Sequence, residues 1–98
     1  MKRISLIVPC LNEEQALPIF YQTTCRILTE ELAAYDAEFI LVDDGSTDGT
    51  LRVMESLAAE DLRVKYLSFS RNFGKEAAMF AGLQAATGDY TAIMDADM

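Results

Sequence analysis

Four short apolar runs alternate with three stretches of helical spacing along the chain. Ile4 to Val8 is an apolar-rich run stopped by Pro9, and Phe39 to Val42 runs into Asp43-Asp44-Gly45. Val64 to Phe69 is a third run, and Tyr90 to Met94 is a fourth that ends at Asp95. Near-continuous Val/Ile/Leu runs of this length suit parallel strands covered on both faces.

The stretches between them carry helix signals. Pro18 suits a first helical position, where its missing N–H costs nothing, and Phe20, Thr24, Ile27, Leu28 and Leu32 follow at helical spacing. Asp48 is a good N-cap ahead of Leu51, Met54, Leu57 and Ala58. Asn72 is placed to cap a third helix through Ala77, Ala78, Ala81 and Ala85, whose small side chains allow close approach to a sheet. Gly88 then serves as a C-terminal stop. The Met and aromatic residues are read as core.

The order is therefore β-α-β-α-β-α-β, an α/β chain with three layers and a mainly parallel sheet. Right-handed crossovers predict strand order 3-2-1-4, with the winding direction reversing between the first and fourth strands. Ligands bind such sheets outside the carboxyl ends of the strands at that reversal. The 98 residues allow one small domain. No apolar run approaches the roughly 20 residues of a membrane span. Lys2 and Arg3 lead into a strand too short for a signal's apolar core.

Charge narrows the partners. The formal net charge of −8 argues against nucleic acid, whose phosphates attract basic faces. With no histidine, and with Cys10 and Cys25 far apart in sequence, a zinc site is not expected. The two cysteines fit reduced thiols in a cytoplasmic protein.

Most of the acids belong on a solvated surface, but three groups fall at strand ends. The first strand leads to Pro9-Cys10-Leu11-Asn12-Glu13-Glu14, the second to Asp43-Asp44-Gly45-Ser46-Thr47-Asp48, and the fourth to Asp95-Ala96-Asp97. On the expected sheet they share one edge, where their mutual repulsion calls for a cation or hydrogen-bond donors. Oxygen-rich sites of this kind suit Mg²⁺ or Mn²⁺, bound through one or two carboxylates plus phosphate oxygens. In an extended segment Asp95 and Asp97 project the same way. One can meet a cation while the other meets a ribose hydroxyl or a metal-bound water. Asp48 and Gly49 are accounted for by an Asx-type turn and a cap. A purely structural role does not call for Asp43 and Asp44 side by side, and a carboxylate there can accept from a nucleobase N–H or a ribose. Glu13 and Glu14 also suit a helix start. Arg71 or Lys75 can meet a phosphate or pair with the acidic edge. No G-x-G-x-x-G follows the first strand, which counts against a dinucleotide fold.

Together, Ile7-Val8-Pro9-Cys10-Leu11-Asn12-Glu13-Glu14, Leu41-Val42-Asp43-Asp44-Gly45-Ser46-Thr47-Asp48-Gly49-Thr50 and Gly88-Asp89-Tyr90 through Asp95-Ala96-Asp97 resemble a family-2 glycosyltransferase of GT-A fold. Ser70-Arg71-Asn72-Phe73-Gly74-Lys75-Glu76 with Ala81-Gly82-Leu83 is most similar to the dolichyl-phosphate mannose synthase and bactoprenol glucosyltransferase branch. The resemblance covers essentially the whole chain. It implies a nucleotide-sugar donor, a polyprenyl phosphate acceptor and an inverting displacement assisted by Mg or Mn. It implies that Pro9, Leu11 and Glu13 line the base and ribose pocket. Val42 and Asp44 would contact the nucleoside, Asp95 and Ala96 the donor, and Asp97, in a D-x-D motif, the metal.

Residues 1–98 then correspond to the N-terminal donor-binding part of a catalytic domain. The acceptor half, the general base and the membrane helices of that branch would lie beyond Met98, with the parent enzyme anchored at the cytoplasmic face of the membrane. The isolated chain is expected to bind donor weakly, without turnover. Two rival readings give the acids other work: a haloacid-dehalogenase-like phosphatase with Asp95 as nucleophile, and a receiver-like Mg-binding signalling module. Both want their acidic pair after the first strand. A third possibility is self-association through exposed apolar surface.

Overall fold

A computed structural model describes residues 1–97 and shows β1 (Arg3–Cys10), α1 (Ala16–Glu31), β2 (Asp36–Asp43), α2 (Thr50–Glu60), β3 (Val64–Ser68), α3 (Lys75–Ala85) and β4 (Tyr90–Ile93). The sheet is parallel throughout, in the order β3-β2-β1-β4, as the alternation of elements predicts. Met98 lies outside the described residues.

Successive strand residues face opposite sides, so each central strand feeds two cores. Leu6, Val8 and Cys10 of β1 and Phe39 and Leu41 of β2 pack with Leu17, Phe20 and Leu28 of α1 and Met54 of α2. Ile7, Ile40 and Val42 face the other way, against Ala78 of α3. Gly82 is also buried there, against the Ile7 side chain. Because α3 meets the sheet through its small residues, its large ones turn outward, and Phe80 is 62% exposed. The expectation that the Met and aromatic residues are core therefore fails at Phe80, and it fails as well at Met1, Tyr35, Tyr66, Phe73 and Tyr90, which are exposed outside α3.

The element ends differ from the expectations in instructive ways. β1 continues through Pro9 to Cys10. Pro9 has the parity of Ile7, whose carbonyl accepts from Met94 N–H on the β4 side, and the β4 ladder stops at Ile7 opposite Ile93. The N–H that proline lacks thus falls past the end of that ladder. α1 begins at Ala16, which makes Pro18 its third residue; the first-turn N–H groups have no partner within the helix in any case.

The amino ends of the strands are tied by polar side chains. Glu38 is 2% exposed and accepts from Ser5 Oγ (2.6 Å), Lys65 Nζ (2.8 Å), Thr87 N–H (2.7 Å) and Thr87 Oγ1 (2.9 Å). Ser5 Oγ in turn accepts from Gly88 N–H at 2.8 Å. Gly88 is not the helix stop, since α3 ends at Ala85. It lets the turn into β4 pass so close to β1 that a Cβ would collide with Ser5 and the Arg3 carbonyl.

Burial alone would raise the Glu38 carboxyl, but the hydrogen bonds from Lys65, Ser5 and Thr87 outweigh it and hold the pKa at about 2, below the ordinary 4.5. A depressed carboxyl contributes stability above its unfolded pKa and loses it as pH falls towards the folded value. Urea unfolding is expected to show roughly 2 kcal/mol of stability lost between about pH 5 and pH 2 through this group, allowing for the exposed Lys65. Glu38→Gln should flatten that fall.

Candidate donor-binding cleft

The eight-residue register of β1 with β2 places Cys10 opposite Asp43, so the two following loops leave the sheet together. They are then joined side by side. Asn12, at φ +55°, donates its N–H to Ser46 Oγ (2.9 Å) and accepts Thr47 N–H on Oδ1 (2.8 Å). Asparagine tolerates this left-handed conformation better than most residues. Glu13 N–H donates to the buried Thr50 Oγ1 at 2.8 Å. The N-cap of α2 is Gly49 and not Asp48 as expected, but the Asp48 carboxylate, one residue before it, accepts from Thr50 N–H at 2.9 Å and so still serves the helix start.

Asp43 and Asp44 both have work inside the protein. Asp43 Oδ1 accepts from Ser46 N–H (3.0 Å), and Oδ2 from Ser68 Oγ (3.1 Å). Asp44 is 4% exposed, and its carboxylate accepts from Phe73 N–H (2.8 Å) and Gly74 N–H (3.2 Å to Oδ2). Gly74 is the N-cap of α3, and the two residues leading into the helix are held by Asp44, reaching over from the end of β2, and not by Asn72. Two adjacent acids after a buried strand are thus explained structurally, against the expectation. Gly45, at φ +76°, lies so close to the 71–72 backbone that a side chain there would collide with it. This contact seats the loop that leads into α3.

An open cleft of about 300 Å³ lies at the carboxyl ends of β1, β2 and β4. Pro9, Leu11, Glu13, Asp44, Asp95 and Asp97 line it, together with Cys10, Asn72, Gly74 and Lys75. Six of the sequence-derived candidates thus meet in one place. Val42 and Ala96 do not line it. The Val42 side chain is buried among Ile7, Ile40 and Ala78, and Ala96 is buried in the core on the α1 side. The chain leaves its extended course at Ala96, where a turn begins. Asp95 and Asp97 face the same cleft across that turn rather than along a strand.

The acids repel one another. Glu13 is raised above its ordinary 4.5, first by burial and then by Asp97, Asp95 and Asp48. Cys10 is pushed up to about 12 by burial, then by Glu13 and Asp43, so its thiol stays protonated at neutral pH. Lys75 is the one basic side chain among the described lining residues. Its ammonium lies 2.7 Å from Asp95 Oδ1, and that hydrogen bond raises it above the ordinary lysine value. Arg71 instead covers the Phe73 ring, 4.6 Å from its centroid.

Among the described residues no three acidic or sulfur side chains stand close enough to hold a metal ion unaided. Carboxylates spread around an open cleft fit a hard divalent cation that takes one or two protein oxygens and draws the rest from phosphate and water. Sequence reasoning did not find Asn12 and Thr50 as the joints between the loops. A Ser/Thr at a helix start is a recognisable signal, but its partner 37 positions away is not.

Residues 5–98 match the family profile Glycosyl transferase family 2. The chain belongs to that family. It is 50% identical over 96 residues to the prophage bactoprenol glucosyl transferase homolog of Escherichia coli (strain K12), covering 98% of this chain and 31% of that protein. It is 38% identical over 96 residues to an undecaprenyl-phosphate 4-deoxy-4-formamido-L-arabinose transferase of Pseudomonas fluorescens (strain SBW25), covering 97% of this chain and 28% of that protein. The chain thus spans under a third of the length of these curated relatives. Among solved structures, S. aureus TarS 1-349 in complex with UDP matches at TM-score 0.79 and 29% identity, over 99% of this chain and 28% of that one. The Pyrobaculum calidifontis mannosyltransferase PcManGT, in complex with GDP-Man and Mn²⁺, matches at TM-score 0.75 and 29% identity, over 98% of this chain and 28% of that one. The four-stranded parallel sheet is the GT-A nucleotide-binding arrangement of these neighbours. Family membership sets aside the phosphatase and receiver readings.

Asp44→Ala is expected to lower stability by about 1–3 kcal/mol, the usual cost of leaving main-chain N–H groups without their acceptor. Amide exchange should accelerate at Phe73 and Gly74, the two groups left without an acceptor. Asp44→Asn, which keeps one acceptor oxygen, should recover about half of the loss in urea titrations.

Proposed function

We propose that this chain forms the donor-binding part of an inverting glycosyltransferase that moves a sugar from a UDP- or GDP-sugar to a polyprenyl phosphate. The observation that carries the reading is the convergence of Glu13, Asp44, Asp95 and Asp97 on one cleft where the sheet reverses its winding between β1 and β4. The names of the relatives support a lipid-phosphate acceptor, and the ligands of the solved neighbours support a nucleotide-sugar donor.

In this reading Pro9, Leu11 and Glu13 border the base and ribose. Asp44 already accepts two N–H groups of the α3 entry. It contacts the nucleoside through remaining lone-pair capacity and holds the opposite wall of the cleft in place. Val42 faces the α3 core, so any contact it makes with the nucleoside runs through its main chain. Buried Ala96 sets the turn that presents Asp95 towards the donor and Asp97 towards a divalent cation, Mg or Mn. When bound, such a cation neutralises charge developing on the departing diphosphate. The acids cannot do this themselves, because their own charge opposes a diphosphate.

The acceptor site and the base that activates the acceptor belong to the part of the relatives' length that this chain does not span. Among the described residues no helix is long and apolar enough to cross a membrane. The parent enzyme is proposed to meet its lipid acceptor at the cytoplasmic face.

Calorimetric titration with UDP-glucose and GDP-mannose, with and without Mn²⁺, tests the reading. One donor is expected to bind weakly and to gain about tenfold with Mn²⁺. Asp97→Ala should abolish the gain. Equal affinity with and without the metal would refute the role given to Asp97.

A further inference from the structure

Lys75 occupies a position that helix electrostatics disfavours. It is the first residue of α3, where unpaired N–H groups carry partial positive charge and acids are preferred. The neighbouring Glu76 obeys that preference. The Lys75 ammonium instead crosses the cleft to Asp95 Oδ1, 2.7 Å away and 20 residues further along the chain.

The pair is anchored at one end and exposed at the other. Its base is fixed, because the Asp44 carboxylate holds the Phe73 and Gly74 N–H groups immediately before Lys75. Its tip is loose: the side chains are 60% and 56% exposed, and ion pairs in water are held weakly. Lys75 is also the one cation among the described residues that line a cleft bordered by four acids. It therefore supplies the positive charge that those acids call for from within the lining itself.

We infer that Lys75 is an exchangeable counter-ion: it pairs with Asp95, yields that carboxylate when a divalent cation held by Asp97 draws on it as well, and then takes an oxygen of the donor diphosphate. This rests on the donor-binding reading above. The exchange makes cation and nucleotide uptake depend on each other. A cation arriving alone must displace the lysine without recompense. A cation arriving with a diphosphate frees an ammonium that finds a new anionic partner within reach of the same anchored helix end. Lysine suits the task better than arginine, since a compact ammonium on a flexible stem can change partners without matching a planar fork. Such a coupling is reciprocal: the metal tightens the nucleotide by the same factor that the nucleotide tightens the metal.

The test measures three affinities in the chain and in Lys75→Gln by calorimetry: Mn²⁺ alone, UDP alone, and UDP in saturating Mn²⁺. Removing the competing ammonium should strengthen Mn²⁺ alone by about two- to fivefold. The same substitution should weaken UDP with Mn²⁺ by about three- to tenfold, because a charge-assisted hydrogen bond to phosphate is lost. A residue with a merely structural role would move both affinities the same way. Shifts in the same direction, or no shift in either, would overturn the exchange while leaving donor binding intact. Failure of the unsubstituted chain to bind UDP under any metal condition would overturn the donor reading, and the exchange with it.

Discussion

The parallel ladder between β1 and β2 is the constraint on which the site depends. Eight consecutive pairs, from Arg3 opposite Asp36 to Cys10 opposite Asp43, fix where both strands end. A slip of one residue would exchange the two faces of β2, burying its α3-side residues under α1 and α2. It would also part Asn12 from Ser46 and Thr47, and Glu13 from Thr50, so the two loops would no longer form one wall. Glu38, far from the cleft, ties Ser5, Lys65 and Thr87 into this same arrangement at the amino edge. The two edges thus divide the labour: one is a fully paired polar clasp, the other a cleft of acids left open to a ligand.

That division explains how a strongly acidic cluster is tolerated. Glu38 is buried and accepts enough hydrogen bonds to stay ionised. Asp43 and Asp44 are buried and similarly engaged, Asp44 by main-chain donors at the start of a helix, where the local dipole also favours an anion. Among the described residues Glu13 and Asp97 have no such partners and Asp95 has Lys75, and Glu13 registers the repulsion. The groups with unmet electrostatic demand are those that border the cleft. A nucleotide diphosphate entering with a cation would meet that demand, which links the fold's local imbalance to the proposed chemistry.

Asp44 shows how one residue can serve structure and site together. Its carboxylate organises the 71–75 segment, and that segment aims Lys75. The contact between Gly45 and the 71–72 backbone adds a steric seat. The far wall of the cleft is therefore built from the end of β2 and not from local capping within the loop.

The alternation of apolar runs and helical spacing was enough to determine the layered parallel sheet, its strand order, and the edge on which the acids gather. Those features follow from periodicity and from crossover handedness, which act over a few residues at a time. The acids Glu13, Asp44, Asp95 and Asp97 were legible because each follows an apolar run in the sequence. Other features were decided only by tertiary structure: Asp44 as the acceptor for the residues leading into α3, Thr50 and Asn12 as joints between loops, Lys75 on Asp95, and the outward turn of Phe80. Each depends on partners 20 or more positions apart, or on which face of a helix meets the sheet. Hydrogen bonds and close contacts of that range have no local period, so they exist only once the strands have been set side by side.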